Sequence, residues 1–368
     1  MQSKKRIVIG LSGGVDSAVS AHLLKKQGHD VVGLFMRNWD SLLNNELNNP
    51  TDYICPQEQD YLDAQKVAQE IGIELYRKDF VKEYWDYVFK HFINEFKASR
   101  TPNPDIFCNK YIKFSAFLDY AQKELKADYI AMGHYAQVRF DETTNEYQLL
   151  KGTDSAKDQS YFLSQLNQEQ LKHTIFPLAE LTKLEVRAIA EELKLTVAKK
   201  KDSTGICFIG ERNFEDFLAN YIPAHPGKTV DIKTNEVIGD HHGVCYYTIG
   251  QRKGLNLSGF KNPYFVVVKN VQKNILYVAN ENENDWLMKN NCDVNHINWI
   301  AKEKPTAIEC FAKFRYRQPD VPVHLTFIDA DNIKVATITP VRAMTPGQEA
   351  VFYLNDVCLG SGTITKIY

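Results

Sequence analysis

Two of the seven cysteines in this 368-residue sequence stand among residues that favour a reactive thiol. Cys108 ends the polar stretch Thr-Pro-Asn-Pro-Asp-Ile-Phe-Cys at 101–108, whose two prolines fix backbone angles and favour a shaped loop before a helix. A cysteine at a helix start, with Lys110 and Lys113 nearby, ionises more readily to the nucleophilic thiolate. Asp105, three residues earlier, can transfer a proton or hydrogen-bond the edge of a base. The stretch therefore predicts a nucleophile with an acid/base group beside it.

The second cysteine is Cys207, in Gly-Ile-Cys-Phe-Ile-Gly at 205–210, after the lysine triplet 199–201. Glycines on both sides indicate a mobile, accessible segment, which a sulfur carrier needs. One thiol can carry a persulfide, and the other can release its sulfur by forming a disulfide with it. The alternative is a basic surface run followed by a core strand. Since no two cysteines are spaced as Cys-x-x-Cys, we interpret the other five as small buried hydrophobes rather than metal ligands.

A third feature is Ser-Gly-Gly-Val-Asp-Ser at 12–17, between the β-branched run 6–11 and the helical pattern 18–28. Backbone N–H groups at a helix N-terminus, reached through glycines, form an anion site. Ser17 can hydrogen-bond a phosphate oxygen, and Asp16 can either orient the loop or help to hold Mg²⁺. The spacing is neither that of a Walker A loop nor that of the dinucleotide fingerprint. It nevertheless predicts a phosphate site.

The elements that position these residues change character along the chain. Strands alternate with helices as far as about residue 205, which predicts crossover units and a parallel sheet. The predicted strands are 6–11, 31–36, 73–76 and 128–133, and the predicted helices are 18–28, 60–71, 84–97 and 111–125. From about residue 227, short alternating strands between turn residues predict antiparallel barrels or sandwiches, with a hairpin turn at 271–275.

Composition sets limits on the class of protein. Hydrophobic residues make up 44% and charged residues 24%, which is ordinary for a globular protein. There are 44 Lys plus Arg against 46 Asp plus Glu, so the chain is not basic overall, although a local basic groove is still possible. No apolar run reaches membrane-spanning length, and the first apolar stretch is too short for a signal peptide. We therefore expect no membrane segment and a cytoplasmic location.

One basic stretch combines cations with aromatic rings. In Lys-Phe-Arg-Tyr-Arg-Gln at 313–318, strand alternation would place Lys313, Arg315 and Arg317 on one face and the aromatic residues on the other. Arginine and lysine contact phosphates, and a tyrosine can stack on an unpaired base. Without further information, a solvated basic face over a packed aromatic face explains the pattern equally well.

Taken together, these motifs resemble the MnmA-type tRNA-specific 2-thiouridylases, which belong to the N-type ATP pyrophosphatases with a PP-loop. The resemblance covers nearly the whole chain. Beyond the loop at 10–17, its motifs lie at 34–39, 101–109, 132–136, 157–163, 205–210 and 247–255. It implies a Rossmann-like α/β domain of the adenine nucleotide α-hydrolase type at 1–205, then a small mainly-β domain at 206–280. A C-terminal β-barrel that contacts tRNA would follow at 281–368.

The resemblance also implies a role for individual residues. Those that would bind ATP are Gly10, Leu11, Ser12, Gly13, Gly14, Val15, Asp16, Ser17, Met36 and Gly133. Those that would contact the target base or the rest of the tRNA are Asn103, Pro104, Asp105, Lys157, Asp158, Gln159, Arg315 and Tyr316. Asp105 would be the acid/base group, Cys108 the nucleophilic thiol and Cys207 the persulfide carrier.

The reaction that the resemblance implies is 2-thiolation of the wobble uridine of tRNA, with ATP and Mg²⁺. Uridine O2 would be adenylated, and sulfur from the Cys207 persulfide would displace AMP, either directly or after release as hydrosulfide. The tRNAs for Lys, Glu and Gln are the implied acceptors, and a cysteine desulfurase, acting directly or through relay proteins, is the implied sulfur donor. Two alternatives remain. A PP-loop amidating ligase would need neither Cys108 nor Cys207, and a noncatalytic nucleotide- or RNA-binding module would not turn over.

Overall fold

The computed structural model describes residues 4–40, 56–202, 214–306 and 309–368. Its strands are β1 (Arg6–Gly10), β2 (Asp30–Arg37), β3 (Glu74–Asp79), β4 (Tyr129–Ala131), β5 (Ala136–Asp141), β6 (Glu146–Lys151), β7 (Thr174–Ile175), β8 (Gly227–Asp231), β9 (Val237–His241), β10 (Tyr264–Asn270), β11 (Ile275–Asn280), β12 (Met288–Trp299), β13 (Glu309–Lys313), β14 (Val321–Phe327), β15 (Asn332–Arg342), β16 (Glu349–Leu354) and β17 (Val357–Ile367). Its α-helices are α1 (Val15–Lys26), α2 (Pro56–Ile71), α3 (Val81–Tyr84), α4 (Lys90–Lys97), α5 (Pro104–Phe107), α6 (Phe117–Lys123), α7 (Ser160–Leu163), α8 (Gln168–Lys172), α9 (Lys183–Glu192) and α10 (Phe214–Ala219). None of these helices has the length and apolar character that crossing a bilayer requires.

The first part of the chain is built on a five-stranded parallel sheet in the order β3-β2-β1-β4-β7. Side chains of β1 alternate between two cores, because successive residues of a strand point to opposite faces. Ile7 and Ile9 pack with α1, α2 and α9, whereas Val8 packs with α6 and the aromatic helices. Both faces are thus covered, as parallel sheets require. The predicted Rossmann-like α/β fold is confirmed.

Two helical runs contain wider π-helical turns that the sequence pattern did not predict. The run predicted at 84–97 consists of α3, a π-helical segment Trp85–Phe89 and α4. The other run begins with α5 and continues through the π-helical segment Cys108–Ala116 into α6. Apolar spacing cannot distinguish these segments from α-helix, because one inserted residue shifts the pattern only locally. Such turns are frequent at functional sites.

The middle module is a four-stranded sheet in the order β10-β11-β8-β9. The predicted hairpin turn joins β10 to β11, with Asn274 at a φ of 50°. The antiparallel prediction is correct for β10–β11 and β8–β9, but β8 and β11 pair in parallel.

The last module is a closed barrel. Strands β12-β15-β14-β13-β16-β17 follow one another, and β12 also pairs with β17. Closure brings two backbones unusually close, since a Cβ atom on Gly360 would lie 2.0 Å from the Asn298 carbonyl oxygen. Of the two architectures left open by the strand pattern, the barrel is therefore correct.

A hairpin of the first region extends the barrel sheet. Strands β5 and β6 pair with each other, and β6 pairs with β17 through Leu149 opposite Cys358 and Leu150 opposite Val357. The sequence analysis did not predict this hairpin. Its effect is to join the α/β region to the barrel through one continuous sheet.

Candidate active site

The loop after β1 presents the start of α1 to a ligand. Gly14 is the N-cap of α1, and no side chain caps this helix end. The first N–H groups of a helix lack intrahelical partners, and an anion can bind them. Gly13 has a φ of +72°, and a Cβ there would lie 2.3 Å from the Asp60 carbonyl oxygen. Only glycine fits this position, so the loop shape depends on the residue type that the motif contains.

The structure brings the other predicted ATP residues to this loop. The end of β4 lies directly against it, since a Cβ on Gly133 would be 3.0 Å from the Asp16 carbonyl carbon and the Ser17 nitrogen. A Cβ on Gly10 would lie 2.6 Å from Met132 Sδ and 3.5 Å from Met36 Cε. The carboxyl ends of three parallel strands therefore meet around the N-terminus of α1, where ligands bind in open α/β sheets.

Asp16 is held by two residues that the sequence analysis missed. Lys183 Nζ lies 2.7 and 2.9 Å from its two carboxylate oxygens, and the Tyr135 hydroxyl donates to it at 2.8 Å. Burial and the adjacent Asp16 carboxylate raise the pKa of Tyr135. Of the two roles considered for Asp16, these contacts favour orientation of the loop. Lys183 lies 167 residues away in sequence, and no local pattern could have paired it with Asp16.

The Thr-Pro-Asn-Pro-Asp stretch starts a helix earlier than predicted. Asn103 caps α5 by accepting a hydrogen bond from the Asp105 nitrogen at 3.2 Å, and Pro104 occupies its first turn. The expectation that Cys108 stands at the helix start is wrong: it lies one turn inside the helix, at the first residue of the π-helical segment. Its side chain is fully buried. The thiol must become uncovered before it can meet another reactant.

The neighbours of Cys108 tie its helix to α7. Asn109 Nδ2 donates to the Phe162 carbonyl oxygen at 3.0 Å, and Lys110 Nζ donates to Gln165 Oε1 at 2.8 Å. Burial lowers the pKa of Lys110, while the Glu349 carboxylate opposes that change. The Lys110 ammonium thus pairs with Gln165 and lies near the buried Glu349 of the barrel, where the α/β region and the barrel pack together. Cys207 lies outside the described residues.

The turn predicted to contact tRNA at 157–159 has internal partners for all three residues. Asp158 is buried and accepts hydrogen bonds from the backbone of Gly152 and from Ser160. Gln159 Oε1 accepts from the Tyr135 nitrogen at 3.1 Å, and the Lys157 ammonium lies 2.7 Å from Asp202. Asp158 and Gln159 thus shape the turn, whereas the side chain of Lys157 is 37% exposed even though its ammonium is paired with Asp202.

The basic stretch 313–318 is not a continuous strand. Strand β13 ends at Lys313, and the following residues turn, so the predicted alternation fails beyond that point. Arg315 donates to the Ile249 carbonyl oxygen at 2.8 Å and to Thr345 Oγ1 at 2.6 Å. The Tyr316 ring lies 4.3 Å from that of Phe162. This turn therefore packs the barrel against the α/β region and the middle module.

This architecture, a glycine-loop α/β domain followed by two β-modules, matches three family models in tandem. They are the tRNA methyl transferase HUP domain at residues 5–211, the tRNA methyl transferase PRC-barrel domain at 215–280 and the aminomethyltransferase beta-barrel domain at 289–364. The chain is thus an α/β enzyme of the HUP-domain class with two further β-modules, the last of which is a closed barrel.

Full-length relatives narrow that class. The chain is 59% identical to the tRNA-specific 2-thiouridylases MnmA of Mycoplasma mycoides subsp. mycoides and Mycoplasma capricolum subsp. capricolum, with 99% of each chain covered. It is also 59% identical to MnmA of Mesoplasma florum, over 98% of this chain and 99% of that one. The chain belongs to the MnmA family of tRNA-specific 2-thiouridylases.

Proposed function

We propose that this protein catalyses the ATP-dependent 2-thiolation of the wobble uridine of tRNA. The observation that carries the proposal is the uncapped start of α1, enclosed by Gly13 and Gly133, in a chain of this family. Arrays of backbone N–H groups suit a triphosphate, and the preorganised loop dipoles stabilise the charge that develops on departing pyrophosphate. The acceptors are the tRNAs for Lys, Glu and Gln.

ATP binds along residues 10–17, with its base near Met36 and Gly133. Among the described ranges, no three His, Cys, Asp or Glu side chains are grouped to hold a metal ion. We propose that a Mg²⁺ ion arrives with the nucleotide and is held largely by phosphate oxygens and water. The ion would neutralise phosphate charge, while Lys183 keeps Asp16 and the loop in place.

The target uridine reaches this site by leaving its stack, because chemistry on a base requires access to it. Asn103, Pro104 and Asp105 meet the base, and Asp105 takes the N3 proton as O2 attacks the α-phosphate. Pyrophosphate then leaves, and the product is an O2-adenylated uridine. Lys157 and the barrel turn with Arg315 and Tyr316 contact other parts of the tRNA.

Sulfur transfer uses the two cysteines. The Cys108 thiolate attacks the inner sulfur of the Cys207 persulfide, the S–S bond breaks, and the terminal sulfur leaves as hydrosulfide. Hydrosulfide attacks C2 and expels AMP, its own proton moves to N3 as the thione forms, and Asp105 releases to solvent the proton that it took earlier. Alternatively, the terminal sulfur attacks C2 before Cys108 breaks the S–S bond. Both routes leave a Cys108–Cys207 disulfide, which a cellular thiol reductant reduces before a cysteine desulfurase or relay protein reloads Cys207.

The test is nucleoside mass analysis of tRNA after incubation with the protein, ATP and a persulfide source. We expect 2-thiouridine with the wild type and none with Cys207→Ser, whereas pyrophosphate release should persist in the variant. Normal thiolation by Cys207→Ser would contradict the carrier role. Pyrophosphate release with a small amine donor and without tRNA would instead identify an amidating ligase, and absence of turnover under all conditions would identify a binding module.

A further inference from the structure

The chain segment before Cys207 is held against the nucleotide loop by two sets of contacts. In the first, the Lys183 ammonium lies 2.7 Å from Asp16 at the loop and 2.8 Å from Asp202. The side chain of Lys183 is only 11% exposed, and Lys157 and Arg187 each approach Asp202 to 2.7 Å. One buried cation therefore bridges the loop and the residue from which the chain continues to Cys207.

The second fastening uses the lysine triplet. Lys200 Nζ donates to the Gly13 carbonyl oxygen at 3.1 Å, to Asp60 at 2.8 Å and to Asp63 at 2.7 Å. Lys200 lies two residues before Asp202, whereas its three partners belong to the loop and to α2. The contact reaches the loop residue that only glycine can occupy.

Charge favours both fastenings. Burial opposes ionisation of Asp202, but hydrogen bonds from Lys157 and Lys183 outweigh burial and lower its pKa to about 2. Burial likewise opposes the charge on Lys200, yet Asp60 and Asp63 raise its pKa. Both groups are charged at neutral pH, and partly buried pairs are screened less by salt than pairs on the surface.

Because these contacts fix Asp202 near the loop, covalent geometry limits how far Cys207 can lie from it. A residue extends the chain by at most about 3.6 Å, so the Cα of Cys207 lies within roughly 18 Å of the Asp202 Cα. Without these contacts, the last residue held at the loop would lie further back along the chain. The covalent limit on the distance to Cys207 would rise, and the effective concentration of its thiol at the nucleotide site would fall.

We propose that Lys183, through Asp202, and Lys200 are positioning residues for sulfur transfer, because they hold the chain before Cys207 against the nucleotide loop. The inference rests on the proposed function and deepens it. The partners of Asp202 are Lys157, Lys183 and Arg187 rather than loop residues, so its loss should separate the two half-reactions. Adenylation should continue while transfer of sulfur to the adenylated base slows.

The experiment compares the two half-reactions in the Asp202→Ala variant. The first is pyrophosphate release in a single turnover with tRNA and ATP but no sulfur donor. The second is 2-thiouridine formation in a single turnover with persulfide-loaded enzyme. We expect thiolation to slow about tenfold or more and pyrophosphate release to change less than about threefold, the tenfold change being the size expected from one lost charge-assisted contact. Asp202→Glu should restore part of the thiolation rate.

Glu70→Ala is the matched control. Glu70 also holds this stretch of chain, by accepting from the Thr196 backbone nitrogen at 3.2 Å, but it is anchored on α2 away from the loop. Its variant should retain the wild-type ratio of 2-thiouridine to pyrophosphate. If Asp202→Ala also retains that ratio, or if both half-reactions slow equally, the positioning role is wrong.

A second variant protects the test from a folding defect. If Asp202→Ala melts well below the wild type, Lys200→Met is measured instead, and the same selective loss of thiolation is expected. Failure of the proposed function looks different, because the wild type itself would then form no 2-thiouridine. A wild type that thiolates beside two variants with unchanged ratios overturns only the positioning role.

Discussion

The nucleotide loop and the predicted tRNA contacts differ in what the side chains do without a ligand. At the loop, the anion site consists of backbone N–H groups at the start of α1, and the glycines leave room for it. At the tRNA contacts, Asp158, Gln159 and Arg315 already have protein partners. A site made of backbone is complete when the chain folds, whereas a site made of long side chains must exchange internal partners for external ones.

The largest effect is expected from Gly13→Ala. The added methyl would overlap the Asp60 carbonyl oxygen at 2.3 Å, and the residue would keep a left-handed backbone. Relief of that overlap must move the loop, and a misplacement of about 1 Å can cost about 100-fold in rate. We therefore expect pyrophosphate release with tRNA and ATP to fall by about 100-fold or more.

Gly28→Ala is the control that separates backbone strain at a positive φ from steric overlap with α2. Gly28 also has a positive φ, of +88°, but no heavy atom lies within 4 Å of the Cβ position. Its variant should lose about 1 kcal/mol of stability and keep most of its pyrophosphate release. If the two variants lose activity equally, the loop does not depend on close approach to α2, and the contrast between the two regions disappears.

The next largest effect is expected from Arg315, one of the predicted tRNA contacts. Arg315→Met would leave the Ile249 carbonyl oxygen and Thr345 Oγ1 without this donor. Unsatisfied buried acceptors cost about 1–3 kcal/mol each, so urea unfolding should show a loss of about 2 kcal/mol in the absence of any RNA. Affinity for tRNA should also fall.

Arg317→Met is the control for that variant, because Arg317 is exposed in the same turn. We expect it to change stability by less than about 0.5 kcal/mol and to reduce the salt dependence of tRNA binding slightly. Should Arg315→Met weaken tRNA binding without any loss of stability, the packing role of Arg315 would be wrong. Its side chain would then belong to the RNA surface alone.

Features set by the local sequence could be predicted, whereas those set by tertiary contacts could not. The strand, the glycine loop and the helix at 6–26 follow from local patterns, since β-branched runs, glycines and apolar spacing act over a few residues. The fastening of Asp16 by Lys183 joins elements 167 residues apart, and only the folded sheet brings them together. The β5–β6 hairpin was missed because no local pattern shows that its edge meets β17.

At two places the residue types indicated the correct chemistry but the wrong element boundary. The prolines at 102 and 104 predicted a loop before the helix, but Pro104 instead occupies the first helical turn, where its missing N–H is harmless. The alternation read at 313–318 assumed a strand that ends at Lys313. In both cases the residue types were informative, whereas the boundary depended on tertiary packing.

The smallest expected effect is a dependence of stability on pH that arises from buried histidines. Burial, aided by Lys113, lowers the pKa of His134 well below 6.5, and its Nδ1 has no hydrogen-bond partner. Burial also lowers the pKa of His91 and of His241. The unfolded chain therefore binds protons near pH 6.5 that the folded chain does not bind, so stability decreases as pH falls below about 6.5.

His134→Gln isolates this contribution, because buried Glu349 acts in the opposite direction. Burial raises the pKa of Glu349, so its contribution to stability is lost as pH rises through that raised value. The difference between wild type and variant cancels the Glu349 effect. Unfolding free energies at pH 7.5 and 5.5 should differ less in the variant, by up to about 1.4 kcal/mol per pH unit below 6.5. An unchanged pH slope would mean that His134 binds its proton at the same pH in the folded and unfolded chains, which would contradict the lowered pKa.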